Sequence, residues 1–158
     1  MVNDQKEDAN KRLGKESMIN ETTGYKICRT ARKIHQYMTN ALAEFDITPE
    51  QWVVLQIVRE EKGLSQQQLA ERLEKDKNST KALVDRLLKK GLLQRQKSEV
   101  DRRLYQLNVT NAGFLLAEKI ILVDHVFMQA LEDTISQEEL TAFVNTLTKL
   151  EKNITQTL

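Results

Sequence analysis

The sequence has 158 residues, of which 40% are hydrophobic and 30% are charged, a composition typical of one globular domain with helical extensions. Its single Cys excludes an intrachain disulfide, and no apolar run approaches the ~20 residues that cross a bilayer, so we expect a cytoplasmic protein without membrane contact.

The net charge of +1 is unevenly divided along the chain. Residues 64–110 carry eleven Lys or Arg and six Asp or Glu, a net +5, whereas the remainder carries −4. This separation of charge favours the binding of a polyanion at one surface only. The alternative is a cationic helix face that is merely exposed to solvent.

The N-terminal part of the chain is predicted to contain a polar leader and two helices. Residues 1–22 are polar and charged, and we expect a leader that is disordered or partly helical. Apolar residues over 25–45 recur at three- and four-residue steps, which predicts a long amphipathic helix. Thr48 is suited to cap a second helix, with Pro49 at its first position and Gln51 completing a capping box. The residues expected to be buried on this helix are Trp52, Leu55 and Val58, or their neighbours.

The basic middle of the chain is predicted to be two short helices followed by a β-hairpin. Ser65 opens a second capping box and starts a short helix. Asp76 can cap the next helix, which is expected to end at Gly91. Two alternating segments, residues 92–97 and 104–109, predict the strands of the hairpin.

Two further helices are predicted after the hairpin. Thr110 is suited to cap one that runs to about residue 133, and a capping box at Ser136 starts the other, over residues 138–155. With the first helix, they carry apolar stripes that cannot all pack on a winged core of ~60 residues. We therefore expect a mainly α fold with a small β-hairpin wing. Its parts would be a winged helix-turn-helix DNA-binding domain over residues 48–111 and dimerisation helices over residues 23–47 and 112–156.

The helix over residues 77–90 has an apolar and a polar face, as expected for a helix that seats on a core and enters a major groove. The apolar face gathers Thr80, Leu83, Val84, Leu87 and Leu88. The residues of this helix predicted to contact DNA are Lys77, Asn78, Ser79, Thr80, Lys81 and Arg86, so that Thr80 belongs to both sets. Asn78 could pair with adenine. Asp85 is unfavourable opposite a polyanion, but Lys81 and Lys89 lie four residues to either side and can offset its charge.

The hairpin carries a basic tip, which a slender wing needs if it is to reach a minor groove. Arg102 and Arg103 are predicted to insert into the groove or to contact phosphates, and Lys97 supplies a further cation. Asp101 is expected to bind an arginine, Arg103 above all, and so to stiffen the loop. The alternative is an ordinary surface turn whose ion pair contributes ~1 kcal/mol or less.

Five segments carry a resemblance to a known family. They are residues 47–52 (ITPEQW), 68–70 (QLA), 83–93 (LVDRLLKKGLL), 101–103 (DRR) and 107–113 (LNVTNAG). In this order they resemble the MarR family of winged-helix regulators, over residues 25 to 155. The resemblance implies a homodimer built by the first, fifth and sixth helices, with the fourth helix in a major groove and the wing in the flanking minor groove. A two-fold dimer reads two half-sites, which predicts an inverted-repeat operator. A repressor is favoured because a dimer bound over a promoter blocks polymerase without further contacts.

The resemblance also implies a small aromatic or anionic effector that binds between the dimerisation helices and the winged core. Arg32, His35 and Trp52 are the residues we assign to such a site. For His35 and Trp52 taken singly, a packing role is the alternative.

Cys28 raises a redox-sensing alternative, because some members of the family sense peroxide through a cysteine near the start of the first helix. Cys28 falls about one helical turn later than that position and lies on the apolar stripe, where burial disfavours the thiolate. We therefore expect a buried, structural cysteine.

An enzyme is not predicted. The sequence has no glycine-rich phosphate loop and no Cys/His ligand spacing, and its two His residues, His35 and His125, are far apart. We expect no cofactor and no metal. The remaining alternative to a DNA reader is a helical adaptor that uses the wing to bind protein.

Overall fold

A computed structural model of the chain describes residues 22–97 and 105–157. The helices in chain order are α1 (Thr23–Leu42), a 3-10 turn (Ala43–Phe45), α2 (Pro49–Glu60), α3 (Gln66–Arg72), α4 (Lys77–Lys89), α5 (Asn111–Glu132) and α6 (Gln137–Thr157). The strands are β1 (Leu64–Ser65), β2 (Leu93–Lys97) and β3 (Tyr105–Val109). The mainly α fold with a small β wing is confirmed. The predicted leader lies outside the described residues.

The helices begin where side chains can satisfy the first backbone N–H groups. Thr48 and Ser65 each accept a hydrogen bond from the third helical residue, which in turn accepts one from the backbone of the cap, so both predicted capping boxes are confirmed. Asp76 caps α4 and Thr110 caps α5, also as predicted. Gly91 follows α4 with φ +68°, a conformation that glycine adopts without steric cost.

The core lies where α2, α4 and the sheet meet the C-terminal half of α1 and the part of α5 from Ala117 to Phe127. Trp52, Leu55 and Val58 are buried on α2, as predicted. Leu42 from α1 and Ile120 from α5 are fully buried in the same cluster. Tyr37 on α1 stacks on Phe127 on α5, with ring centroids 4.4 Å apart. The winged part of the chain is therefore packed against the two long helices by apolar contacts.

The sheet has three antiparallel strands in the order β1-β3-β2. The β2–β3 hairpin was predicted, whereas the two-residue strand β1 was not. In the register of the hairpin, Arg95 lies opposite Leu107 and Lys97 opposite Tyr105. Leu93 and Leu107 are buried. Because side chains alternate along a strand, Arg95 and Lys97 lie on the same face of β2 as Leu93.

A close contact joins the base of the hairpin to α5. The Thr110 hydroxyl donates to the carbonyl of Gly91 at 2.6 Å and accepts from the backbone N–H of Gly113 at 3.0 Å. Gly113 is buried, and a Cβ there would collide with the carbonyl oxygen of Leu92 and lie 2.9 Å from Val109 Cγ1. The absence of a side chain at Gly113 therefore sets how closely α5 approaches the wing.

The outer parts of the long helices leave apolar side chains exposed in the single chain. Leu122 and Val126 on α5 are 69% and 63% exposed. Phe143, Val144 and Ile154 on α6 are similarly exposed. The predicted apolar stripes thus exist but are only partly covered within one chain. No helix within residues 22–97 and 105–157 is long and apolar enough to cross a membrane.

Candidate nucleic-acid interface

The first turn of α4 is fixed by its capping residue. Asp76 Oδ1 accepts hydrogen bonds from the backbone N–H groups of Asn78 and Ser79, both at 2.9 Å. Hydrogen bonds from the Ser79 side chain and backbone lower the pKa of Asp76 from its ordinary value, so this carboxylate stays ionised at neutral pH. The cap leaves the side chains of Lys77, Asn78 and Ser79 exposed at the start of the helix, the part of a recognition helix that meets base edges.

Helix α4 has the two faces that its sequence predicts. Val84 and Leu87 are fully buried, and Leu83 and Leu88 are half-buried. The outward residues Asn78, Ser79, Lys81, Ala82, Arg86 and Lys89 are all exposed. A helix that is anchored by apolar contacts on one side can present its cations rigidly on the other.

Thr80 is the exception among the predicted DNA contacts. It is 0% exposed, and within the described part of the chain its hydroxyl has no hydrogen-bond partner. The prediction that Thr80 contacts DNA is therefore wrong, because the residue falls on the side of α4 that packs on the core.

Asp85 is neutralised by two cations, one of which was not predicted. Lys81 Nζ donates to Asp85 Oδ2 at 3.0 Å, as the four-residue spacing indicates. The second partner is Arg95 on β2, rather than Lys89, and it donates to Asp85 Oδ1 at 2.9 Å. Lys81 first and Arg95 after it lower the pKa of Asp85. Strand alternation, which places Arg95 on the same face of β2 as buried Leu93, is the sequence signal that could have revealed it.

The tip of the wing lies outside the described residues. Asp101, Arg102 and Arg103 all fall between the ends of β2 and β3, so their predicted roles remain predictions. Lys97 ends β2 and is exposed. Because it lies on the face of β2 that Arg95 also occupies, it is on the same side of the hairpin as α4.

The residues assigned to an effector site are not gathered around one cavity. Trp52 is only 5% exposed and belongs to the core. His35 Nε2 lies 2.8 Å from Glu50 Oε1, which joins α1 to the start of α2. Arg32 is exposed on α1. The structure thus gives Trp52 a packing role and His35 a hydrogen bond to Glu50.

A cavity of about 530 Å³ lies instead between α2 and α5. Its lining residues are Gln56, Arg59, Glu60, Ile121, Asp124, His125 and Met128. Arg59 forms an ion pair with Glu118 and lies over the Phe114 ring, 4.9 Å from its centroid. The side-chain oxygen of Gln56 is buried and has no hydrogen-bond partner among the described residues. The wall of the cavity therefore carries one cation, already paired with Glu118, together with the carboxylates of Glu60 and Asp124.

Cys28 is exposed, so the expectation of a buried cysteine is wrong for the single chain. The reason is that the N-terminal half of α1 projects beyond the core. The buried residues of this helix, Met38 and Leu42, lie in its C-terminal half. The apolar stripe that carries Cys28 has no covering element in this part of the structure.

The arrangement of α2 to α4 followed by the hairpin defines a winged helix-turn-helix protein. The sequence model of the MarR family matches residues 47–105, which include α4 and β2. This match confirms the resemblance to the MarR family of winged-helix regulators that was noted in the sequence.

Relatives of known name are transcriptional regulators. The chain is 26% identical over 119 residues to the HTH-type transcriptional repressor MdtR of Bacillus subtilis, which covers 75% of this chain and 77% of that protein. It is 25% identical over 140 residues to the HTH-type transcriptional regulator SarZ of Staphylococcus haemolyticus, covering 88% and 93% respectively. These names agree with the prediction that the chain is a regulator and not an enzyme.

Two solved structures with bound DNA have the same fold. The DNA complex of MepR from S. aureus matches with a TM-score of 0.78 and 25% identity, over 84% of this chain and 96% of that one. A mutant MarR from E. coli in complex with operator DNA matches with a TM-score of 0.76 and 25% identity, over 85% and 99%. The similarity includes the long helices as well as the winged part.

Proposed function

We propose that this protein is a homodimeric repressor that binds an inverted-repeat operator in double-stranded DNA. The observation that carries the proposal is the geometry of α4, whose buried face anchors it and whose exposed face presents Lys77, Asn78, Ser79, Lys81 and Arg86. MepR and MarR, which share the fold, have been solved with DNA bound. The name of MdtR as a repressor supports the sign of regulation. Action on chromosomal DNA corresponds to a cytoplasmic protein.

In the proposed complex each subunit places α4 in a major groove. Asn78 reads a base, while the lysines and Arg86 contact phosphates or guanine. The wing follows the backbone into the adjacent minor groove, where Lys97, Arg102 and Arg103 supply positive charge and Asp101 orients Arg103. Phosphate contacts would provide most of the affinity, and base contacts would provide the specificity.

The homodimer is supported by the exposed apolar side chains on the long helices. Leu122 and Val126 on α5 and Phe143 and Val144 on α6 are each more than half exposed in one chain. Burying such side chains against a second copy is favourable by ~25 cal/mol per Å² of apolar surface. Residues 23–47 and 112–156 would then form the dimerisation part and residues 48–111 the DNA-binding part.

We further propose that a small aromatic or anionic effector releases the DNA. The cavity between α2 and α5 is a better candidate than the site assigned from the sequence, because its lining residues face one open space, whereas Trp52 is buried in the core. An effector bound there would contact α2, which belongs to the winged part, and α5, which belongs to the dimerisation part.

Peroxide sensing through Cys28 is a second candidate for regulation, favoured by the exposure of its thiol in the single chain. Treatment of the purified dimer with peroxide, followed by operator binding, tests it. Retained binding of oxidised wild type, or an equal loss in Cys28→Ser, would rule this mode of regulation out.

Selection from a pool of random duplexes is the experiment that tests DNA recognition. The purified protein should enrich an inverted repeat, and its affinity should fall by orders of magnitude between ~50 and ~200 mM salt, because several phosphates are neutralised. An adaptor that binds protein through its wing would enrich no duplex. Failure to bind any duplex at low salt would refute the proposed function.

A further inference from the structure

The guanidinium group of Arg95 joins three elements of the winged part, which are β2, α4 and α3. Arg95, on the wing strand β2, donates from one terminal nitrogen to Asp85 Oδ1 on α4 at 2.9 Å and to Gln66 Oε1 on α3 at 3.1 Å. Arg95 therefore links the wing strand β2 to the recognition helix α4 and to Gln66, the first residue of α3.

The negative charge of Asp85 is not expected on a surface that binds DNA. Asp85 lies on α4 among Lys81, Arg86 and Lys89, and its side chain is 40% exposed. A negative charge on a surface that meets phosphates weakens binding by simple electrostatics. Asp85 therefore does not strengthen DNA binding by electrostatic attraction. Its geometry shows instead a hydrogen bond accepted from Arg95 on β2.

We propose that Arg95 is a positioning residue for DNA recognition: bound by Asp85 and Gln66, it fixes the orientation of α4 relative to the wing, and so determines which bases α4 reaches. This inference rests on the proposed function. Lys97 lies two residues further along the same face of β2, so a shift of the strand at Arg95 also moves the cation at the end of β2 that leads to the tip of the wing.

The proposal separates two roles for an arginine beside DNA. A phosphate contact strengthens binding to every duplex and adds about one to the slope of log affinity against log salt. A positioning contact changes the preference for the operator over random duplex and leaves the slope unchanged. Two variants test this without removing a cation. Gln66→Ala removes no charge, and Asp85→Asn removes a charge that repels phosphate.

The experiment uses the full-length protein and the duplex selected from the random pool. Affinities for that duplex and for a random duplex are measured across a salt series for wild type, Gln66→Ala, Asp85→Asn, Arg95→Ala and the double variant Asp85→Asn/Arg95→Ala. We expect each single variant to lower the operator-to-random ratio, by about tenfold for the two charged residues, and the double variant to lose little more, because both changes break the same contact. For Asp85→Asn, affinity for random duplex should stay equal or rise.

Controls separate misfolding and phosphate contact from positioning. Exposed ion pairs contribute little to folding, so thermal unfolding of the variants should match that of wild type. Arg86→Ala, on the exposed face of the same helix, should lower both affinities and the salt slope. Equal strengthening of both duplexes by Asp85→Asn, or equal weakening with a reduced slope by Arg95→Ala, would overturn the inference while leaving DNA binding intact. Absence of binding by wild type would instead refute the proposed function itself.

Discussion

Asn78 is the residue of α4 whose chemistry is best suited to read a base. Its backbone N–H is bound to the Asp76 cap, whereas its side chain is exposed in the first turn. We expect Asn78→Ala to reduce affinity for the operator by ~1–3 kcal/mol, because an amide can form two hydrogen bonds to adenine, and to change random-duplex binding little. Competition binding with single-base operator variants measures this. Lys89→Ala, at the other end of α4, is the control and should weaken both duplexes alike. Equal losses for Asn78→Ala would reassign Asn78 to backbone contact.

Arg103 gives the corresponding prediction for the wing. Arg103→Ala should weaken binding to operator and random duplex together and lower the salt slope by about one, because a phosphate or minor-groove cation is lost. Lys152→Ala on α6, far along the chain from the wing and exposed, serves as the control and should leave the slope unchanged. An unchanged slope for Arg103→Ala would mean that the arginine does not meet the DNA.

Between elements, the hydrogen bond of His35 to Glu50 joins α1 to α2 and makes one contribution to stability depend on pH. A hydrogen bond from His35 lowers the pKa of Glu50 below its ordinary value of 4.5, against the opposing effect of partial burial. The contribution is therefore fully present above that value and is lost as the pH falls through the lowered pKa. Because both side chains are exposed by 40% or more, we expect less than about 1 kcal/mol. Denaturant unfolding of wild type and Glu50→Gln should differ near pH 6 and converge near pH 3. Glu44→Gln is the control, and a constant difference at all pH values would contradict this assignment.

The junction of the wing and α5 gives a prediction of larger size. Gly113→Ala would force its methyl group against the Leu92 carbonyl and Val109, and we expect it to destabilise the protein by about 1–3 kcal/mol. Gly24→Ala is a matched control with the opposite sign. A Cβ there meets nothing within 4 Å, and alanine has the better helix propensity. Because Gly24 lies in the first turn of α1 rather than in its middle, a stabilisation of at most about 0.5 kcal/mol is expected. Thermal unfolding of both variants measures these shifts. A Gly113→Ala variant as stable as wild type would show that α5 can shift away from the wing without loss of stability.

The elements that could be predicted are those whose signals are local. The capping boxes at Thr48 and Ser65 place each cap three residues from its partner, and both were read correctly from the sequence. Strand β1 escaped prediction because its two residues become a strand only by pairing with β3, more than forty residues later. The contact of Arg95 with Asp85 was missed for the same reason, since it depends on how β2 packs beside α4. Cys28 was expected to be buried because the sequence places it on an apolar stripe, but a stripe does not reveal whether any element of the same chain covers it.

For the whole molecule, the exposed faces of α5 and α6 predict that operator binding depends on dimerisation. Glu in place of Leu122 or Phe143 would put charges into the proposed interface, where unpaired ionised groups are costly. We expect the double variant Leu122→Glu/Phe143→Glu to sediment as a monomer and to lose operator affinity by ~10²–10⁴-fold, because the two half-sites are no longer bound by one linked molecule.

The control for this experiment is Val53→Glu. Val53 is an apolar residue of α2 that is also exposed, at 46%, but lies outside the helices assigned to the interface. It should stay dimeric and bind the operator as wild type does. Far-UV circular dichroism would show whether the double variant keeps its helices, as it should if the winged part packs within each chain. A double variant that remains dimeric would move the interface elsewhere. A folded monomer that binds the full operator as tightly as wild type would show that each subunit recognises DNA alone, and the inverted repeat would lose its physical basis.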